Sequence, residues 1–330
     1  MAAVGRTGIG LGSVAFHLGN RRLNAVARSL LVLLSCLLAV LLAAQPAAAE
    51  DDDVLVLGRI SDDPASHYAQ LKPLLDYVVP RMADVGIREG RILMARDAQQ
   101  MLSYLRRGRV DWVTETSAAA MLLESRAGAE PLLLTERSGV SRYRTVFFVR
   151  RDSGIDTLEA LRGRSVAFQN RSSTSAYFVP ATELLARDLP MEILLSPVDQ
   201  PSPESVGYLF AGSESNIATW VHKQLVDAGA MSDLDWGNPR ATPPSYRKDL
   251  EVIHQTPYFP RALEVTAAGM APRVRERLRT VLLEAAGDPE AAEALRHFFG
   301  TTRFLPVDGE ARQQLQYLRT AVLRVSDEIE

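Results

Sequence analysis

From residue 54 onward, short β-rich apolar runs alternate with stretches whose apolar residues recur at helical spacing, which restricts the chain to α/β architectures. Residues 54–60 read as a buried strand, and the helix after the 61–64 turn places Leu71, Leu74, Leu75, Val78, Val79 and Met82 on one face. A strand over 91–95 leads to a helix with Ala98, Met101, Leu102 and Leu105 inward, stopped at Gly108. The strand over 110–114 then ends in a turn of Glu115, Thr116 and Ser117, and the alternation continues through 131–135 and a strand near Tyr143. Farther on, strands are expected at 164–169, 191–195 and 226–230, with helices around 205–210 and 215–225. Open α/β sheets bind ligands beyond the C-terminal ends of their strands, so Ser61 is a candidate contact, whereas Tyr68 at helical spacing reads as packing.

The most informative stretch is 165–186. An apolar β-rich run (Ser165, Val166, Ala167, Phe168) passes through Gln169, Asn170 and Arg171 into four hydroxyl residues, Ser172, Ser173, Thr174 and Ser175, and then into helix formers. The hydroxyl run therefore sits at a helix N-terminus, where backbone N–H groups lack intrahelical partners and the helix dipole is positive. One hydroxyl suffices to cap a helix. Four in succession allow two readings, a cap or a cradle for a tetrahedral anion.

Residues 1–28 carry arginines and no acids, 29–44 are almost wholly apolar, and Ala47, Ala48 and Ala49 offer a small-residue cleavage pattern. That is the layout of a secretory signal over 1–49. An uncleaved anchor and lipidation at Cys36 are the lesser alternatives, and Arg21-Arg22 matches twin-arginine export poorly. Cys36 is the single cysteine, so a mature chain has neither disulfide nor thiolate chemistry. A net charge of −3 gives no basic footprint for nucleic acid. No metalloprotease, nucleophile-elbow, Walker or Cys-x-x-Cys pattern is present, and His67, His222, His254 and His297 share no metal spacing. Neither a metal nor a cofactor is expected.

The strand, turn, Ser-Thr-Ser, small residue, aromatic and Pro of 165–180 resemble the signature of the periplasmic phosphate/phosphite/phosphonate-binding proteins of ABC importers. The likeness extends upstream to the crossing strand at 143–155 and the lead-in from Leu158 to Gly163, and downstream to 211–216 and 226–230. It runs from about Val54 to near Leu318. The resemblance implies an α/β, two-lobe, type II periplasmic-binding-protein-like fold, each lobe an α/β sheet sandwich, with two hinge crossings. Lobe 1 would comprise 50–147 and 250–330, with lobe 2, residues 148–249, inserted in it.

By the same resemblance the chain is a monomeric, periplasmic solute-binding component that takes a small oxyanion in the interlobe cleft and delivers it to an ABC permease in the inner membrane. Ser173, Thr174 and Ser175, with Ser172 beside them, would hold the oxyanion, and Ser61, Thr116 and Ser213 would complete its shell. Glu115 and Glu214 would pair with an amine if the ligand is a zwitterion. Glu115 has a second reading, facing solvent, and Ser213 a second reading as a plain N-cap. Tyr177 either walls the cleft or packs beneath it; Arg171 either pairs with the anion or faces water. Asp233 falls one position late compared with the family's acidic residue. Two other jobs fit the same residues: a ligand sensor feeding a membrane histidine kinase or other receptor, and, least of all, an enzyme.

Overall fold

A computed structural model describes residues 53–329. The expected signal, its anchor and lipidation alternatives and Cys36 lie outside the described residues. In chain order the first sheet takes β1 (Val54–Ile60), β2 (Glu89–Ala95), β3 (Trp112–Thr116) and β4 (Glu130–Arg137). It is completed near the C-terminus by β13 (Ala262–Thr266) and β14 (Thr301–Leu305), in the order β14-β4-β13-β3-β1-β2. Strands β1, β2 and β3 are parallel, while β13 runs antiparallel between β3 and β4. The second sheet is built from β6 (Thr145–Arg150), β7 (Ser165–Phe168), β8 (Met191–Ile193), β9 (Val206–Phe210), β10 (Ala228–Ser232) and β11 (Leu250–Gln255), in the order β11-β6-β10-β7-β9-β8. Every residue of β7 and β10 is buried, as expected for inner strands covered on both faces.

The chain passes between the sheets at two short strands, β5 (Arg142–Tyr143) and β12 (Phe259–Pro260), which pair antiparallel with each other. Tyr143 and Phe259 also meet edge-on, ring centroids 4.9 Å apart. The two-lobe α/β fold implied by the sequence is thus present, with paired crossings. Residues 250–255 form β11, the edge strand beside β6. Residues 205–210, expected as a helix, form β9 between β7 and β8. The reason is tertiary: Gly207 lets the strand close on Leu194, where an added Cβ would lie 2.6 Å from Leu194 Cδ1.

Helices cover both sheets. α1 (Pro64–Val78) buries Leu71, Leu74, Leu75 and Val78, the stripe expected from its spacing, and Asp63 caps it by accepting the Ser66 N–H. α2 (Ala98–Arg106) and α3 (Ser117–Ala127) follow β2 and β3, so α3 begins at the C-terminal end of β3. In the second lobe a π-helical turn (Thr174–Phe178) runs directly into α4 (Val179–Leu185). α5 (Glu214–His222) follows β9, and α6 (Asp233–Gly237) follows β10. After α7 (Pro272–Glu284), the long α8 (Gly309–Glu328) ties the lobes together. Its Ala311, Leu315 and Leu318 join one core cluster with Val113 and Leu263 of the first sheet, and its Val322 and Val325 join another with Val166 and Tyr208 of the second. None of the described helices is long and apolar enough to cross a membrane.

Candidate ligand-binding cleft

Between the lobes lies a cleft of about 1290 Å³. The helix that starts at Ser117 and the turn that starts at Thr174 meet there end to end. Thr174 Oγ1 accepts the Ala118 N–H at 2.9 Å, and Thr116 Oγ1 donates to the Ser172 carbonyl at 3.2 Å, so both bonds join the lobes. Two helix N-termini therefore face one another, and each adds positive potential and exposed amides to the space between them.

The four hydroxyls of 172–175 divide the work. Ser172 donates to Asn170 Oδ1 at 2.8 Å and holds the turn after β7. Ser173 is the N-cap, its Oγ accepting the Ala176 N–H at 3.2 Å. Thr174 makes the bond across the cleft just described. Ser175 is buried beside the Tyr143 hydroxyl, which also interacts with Thr174; burial pushes that phenol up to about 12, so it stays protonated and able to donate. Cap and cradle are therefore not exclusive uses of this run: one hydroxyl caps while Thr174 and Ser175 remain on the cleft wall. The π-turn arises at Ala176, whose φ of −117° and ψ of 19° interrupt the helical ladder, a distortion that often accompanies binding sites.

Of the other expected contacts, Ser61, Glu115, Thr116 and Glu214 also line the cleft. Ser61 Oγ shares a 2.6 Å hydrogen bond with His67 Nδ1 and accepts the Asp63 N–H at 3.1 Å. Burial, and then Arg59, pushes His67 below its usual range. Glu115 lies on β3 rather than in a turn and is buried; its carboxylate accepts the Ile60 N–H at 2.7 Å and the Thr116 N–H at 3.2 Å. Two expected contacts lie elsewhere. Ser213 N-caps α5 by accepting the Asn216 N–H at 3.2 Å. Tyr177 is fully buried, with its ring 5.1 Å from both Phe178 and Phe210. Arg171 lies over the Phe210 ring, 5.4 Å from its centroid, and lines the cleft. Asp233 sits 3.6 Å from Arg144, and Asp235, two residues on, reaches the cleft in its place.

The first lobe also presents a charged wall that no local sequence pattern marks. Arg59 at the end of β1, Arg137 at the end of β4 and Arg261 after β12 all line the cleft. Strand ends are the position at which open sheets meet ligands. Arg137 follows the run Leu132, Leu133, Leu134, Thr135, Glu136. Among the described residues no group of three or more His, Cys, Asp or Glu could hold a metal ion.

Glu214 is a cleft acid with a raised pKa. Burial, reinforced by the Asp235 carboxylate, pushes it up to about 7. Below that value the neutral carboxyl can donate to an anion's oxygen; above it the carboxylate repels the same anion. If an oxyanion without an amine binds beside Glu214, its affinity should fall as pH rises through about 7 by roughly tenfold more in wild type than in Glu214→Gln. Comparing the two proteins cancels the ligand's own titration. Parallel pH profiles would remove Glu214 from the site.

The profile of the family described as "ABC transporter, phosphonate, periplasmic substrate-binding protein" matches residues 58–311. The chain therefore belongs to the periplasmic substrate-binding proteins of phosphonate ABC transporters. These are ligand-binding components that work with permease and ATPase partners, not an enzyme class. Among solved structures, XAC2383 from Xanthomonas citri bound to chloride ion is 57% identical, with a TM-score of 0.80 over 84% of this chain and 100% of that one. The same protein bound to ATP matches at 56% identity, TM-score 0.80, with the same coverage. PhnD1 from Prochlorococcus marinus (MIT 9301) in complex with methylphosphonate shares the fold at 17% identity, TM-score 0.59, over 84% of this chain and 99% of that one.

Proposed function

We propose that this protein is the periplasmic solute-binding component of an ABC importer and that its interlobe cleft takes a small oxyanion of the phosphate, phosphite or phosphonate type. The observation that carries this reading is the meeting of two helix N-termini, at Ser117 and Thr174, in a cleft that also holds Ser175 and Tyr143. Moving an anion out of water costs several kcal/mol unless hydrogen bonds replace its hydration. Amides and hydroxyls directed at one space supply that replacement. The family, and a relative solved with chloride and with ATP, support an anionic ligand. Closure about the paired β5 and β12 crossings would present the loaded form to the permease.

A thermal-shift screen against phosphate, phosphite, methylphosphonate, sulfate and carboxylates tests this directly. A ligand at a hundred times its dissociation constant stabilises the folded state by about 2.7 kcal/mol. A phosphorus oxyanion is expected to shift wild type clearly and Thr174→Ala much less. A screen in which no oxyanion shifts wild type would refute the reading.

A second reading keeps the cleft and changes the recipient, making the protein a periplasmic sensor for a membrane histidine kinase or other receptor. It is favoured by the burial of Tyr177 and the capping role of Ser213, which make the ligand-facing set differ from the one the family resemblance implies. Uptake of labelled oxyanion in a deletion strain separates the two. Lost uptake supports import; normal uptake with a lost transcriptional response supports sensing.

A further inference from the structure

We propose that the first-lobe wall of the cleft carries a second anion subsite, built on Arg137, Arg59 and Arg261, so that the ligand bears two phosphoryl groups rather than one. The inference rests on the reading that the facing helix ends hold one oxyanion, and it narrows that ligand's class to diphosphates and longer phosphoanhydrides.

Arg137 has only 9% of its surface exposed, yet its Nε and Nη2 are buried without a hydrogen-bond partner, as is Nε of Arg59. Buried charged donors without acceptors are costly, so a place kept this way calls for an anion. Both guanidiniums are held by one ring, with Arg59 Cζ 4.4 Å and Arg137 Cζ 4.5 Å from the Phe299 centroid. Arg261 Nη1 donates to the Arg137 carbonyl at 3.2 Å, which fixes the third guanidinium beside them.

The carboxylates within electrostatic reach of Arg137 are already engaged. Glu264 accepts from Trp112 Nε1 at 2.6 Å, Thr135 Oγ1 at 2.7 Å and Thr114 Oγ1 at 2.9 Å. Glu115 accepts the amides of Ile60 and Thr116. Arg59 and Arg261, by contrast, repel Arg137, and burial together with this repulsion pulls its pKa down to about 10. Three guanidiniums thus stand against two occupied carboxylates. Tyr143, which touches Thr174 and Ser175, is also within the field of Arg261, so the arginine wall and the helix ends border one continuous space. A volume of about 1290 Å³ leaves room for a ligand well beyond a single phosphoryl group.

Calorimetry with inorganic pyrophosphate and with methylphosphonate on the exported protein, alongside Arg137→Gln and Arg261→Gln, tests the subsite. Wild type should bind pyrophosphate about 30-fold or more tighter than methylphosphonate, as expected for one added set of charge-assisted hydrogen bonds. Arg137→Gln should erase about tenfold or more of that preference while leaving methylphosphonate within about threefold. Should Arg137→Gln fail to fold, the less buried Arg261→Gln carries the test with the same direction of effect. Equal affinities for the two probes in wild type would overturn the subsite and leave the single-oxyanion reading standing. Equal weakening of both probes in the variants would also overturn it. Binding of neither probe would overturn both.

Discussion

Trp112→Ala is expected to cost about 5 kcal/mol, a large part of the stability of an ordinary domain. Trp112 is fully buried on β3, in the core cluster that joins Leu55, Leu57 and Phe298 beneath the first sheet. Truncating such a side chain removes its transfer energy and leaves a cavity, typically about 3–5 kcal/mol together. A second loss adds to the first, because the indole N–H is one of the donors that neutral groups give to the buried Glu264. Burial raises the Glu264 pKa, and the donors from Thr135, Trp112 and Thr114 oppose that shift, so deleting one exposes the carboxylate's desolvation cost. Trp112→Phe keeps most of the volume and should lose only about 1–2 kcal/mol. Urea denaturation of the three proteins reads both effects. A loss below about 2 kcal/mol for Trp112→Ala would contradict this description of the core.

Ser175→Asp is expected to abolish oxyanion binding. Ser175 lies where the second helix end meets Tyr143 on the cleft wall. On the proposed reading, a carboxylate there would take the anion's place beside the same helix end. Two like charges about 4 Å apart near a protein surface repel by about 4 kcal/mol, or about three decades in affinity. Ser175→Ala removes only one hydroxyl and should weaken binding by about tenfold. Titration calorimetry distinguishes the two. Binding by Ser175→Asp within about tenfold of wild type would place the anion away from this helix end.

How much was legible in the sequence follows from the range of the forces involved. The stripe from Leu71 to Met82 and the apolar runs of β1 and β7 are local patterns, and the elements follow them. The hydroxyl run was readable for the same reason: strand, turn and helix start lie within a few residues of one another. Residues 205–210 misled because a short apolar run fits a buried strand and a buried helix equally well, and only pairing with β7 and β8 decides between them. Tyr177 had two readings at one spacing. The angle set by the π-turn put it among Phe168, Phe178 and Phe210.

The arginine wall was hidden for a different reason. Arg59, Arg137 and Arg261 come from three separate parts of the chain and meet only because β13 inserts between β3 and β4 and so brings 261 near 137 and 59. No local period records such a junction. The ties between Thr116 and Ser172 and between Ala118 and Thr174 were equally invisible, since each spans the two lobes.

The most direct test of the central claim is a co-crystal structure with the phosphorus oxyanion that gives the largest thermal shift. The expected result is a phosphoryl group between the N-terminus of α3 and the turn at Thr174, within hydrogen-bond distance of Ser175 and of amides from both helix ends. Ligand density outside the cleft, or an empty cleft in crystals grown with saturating oxyanion, would contradict it.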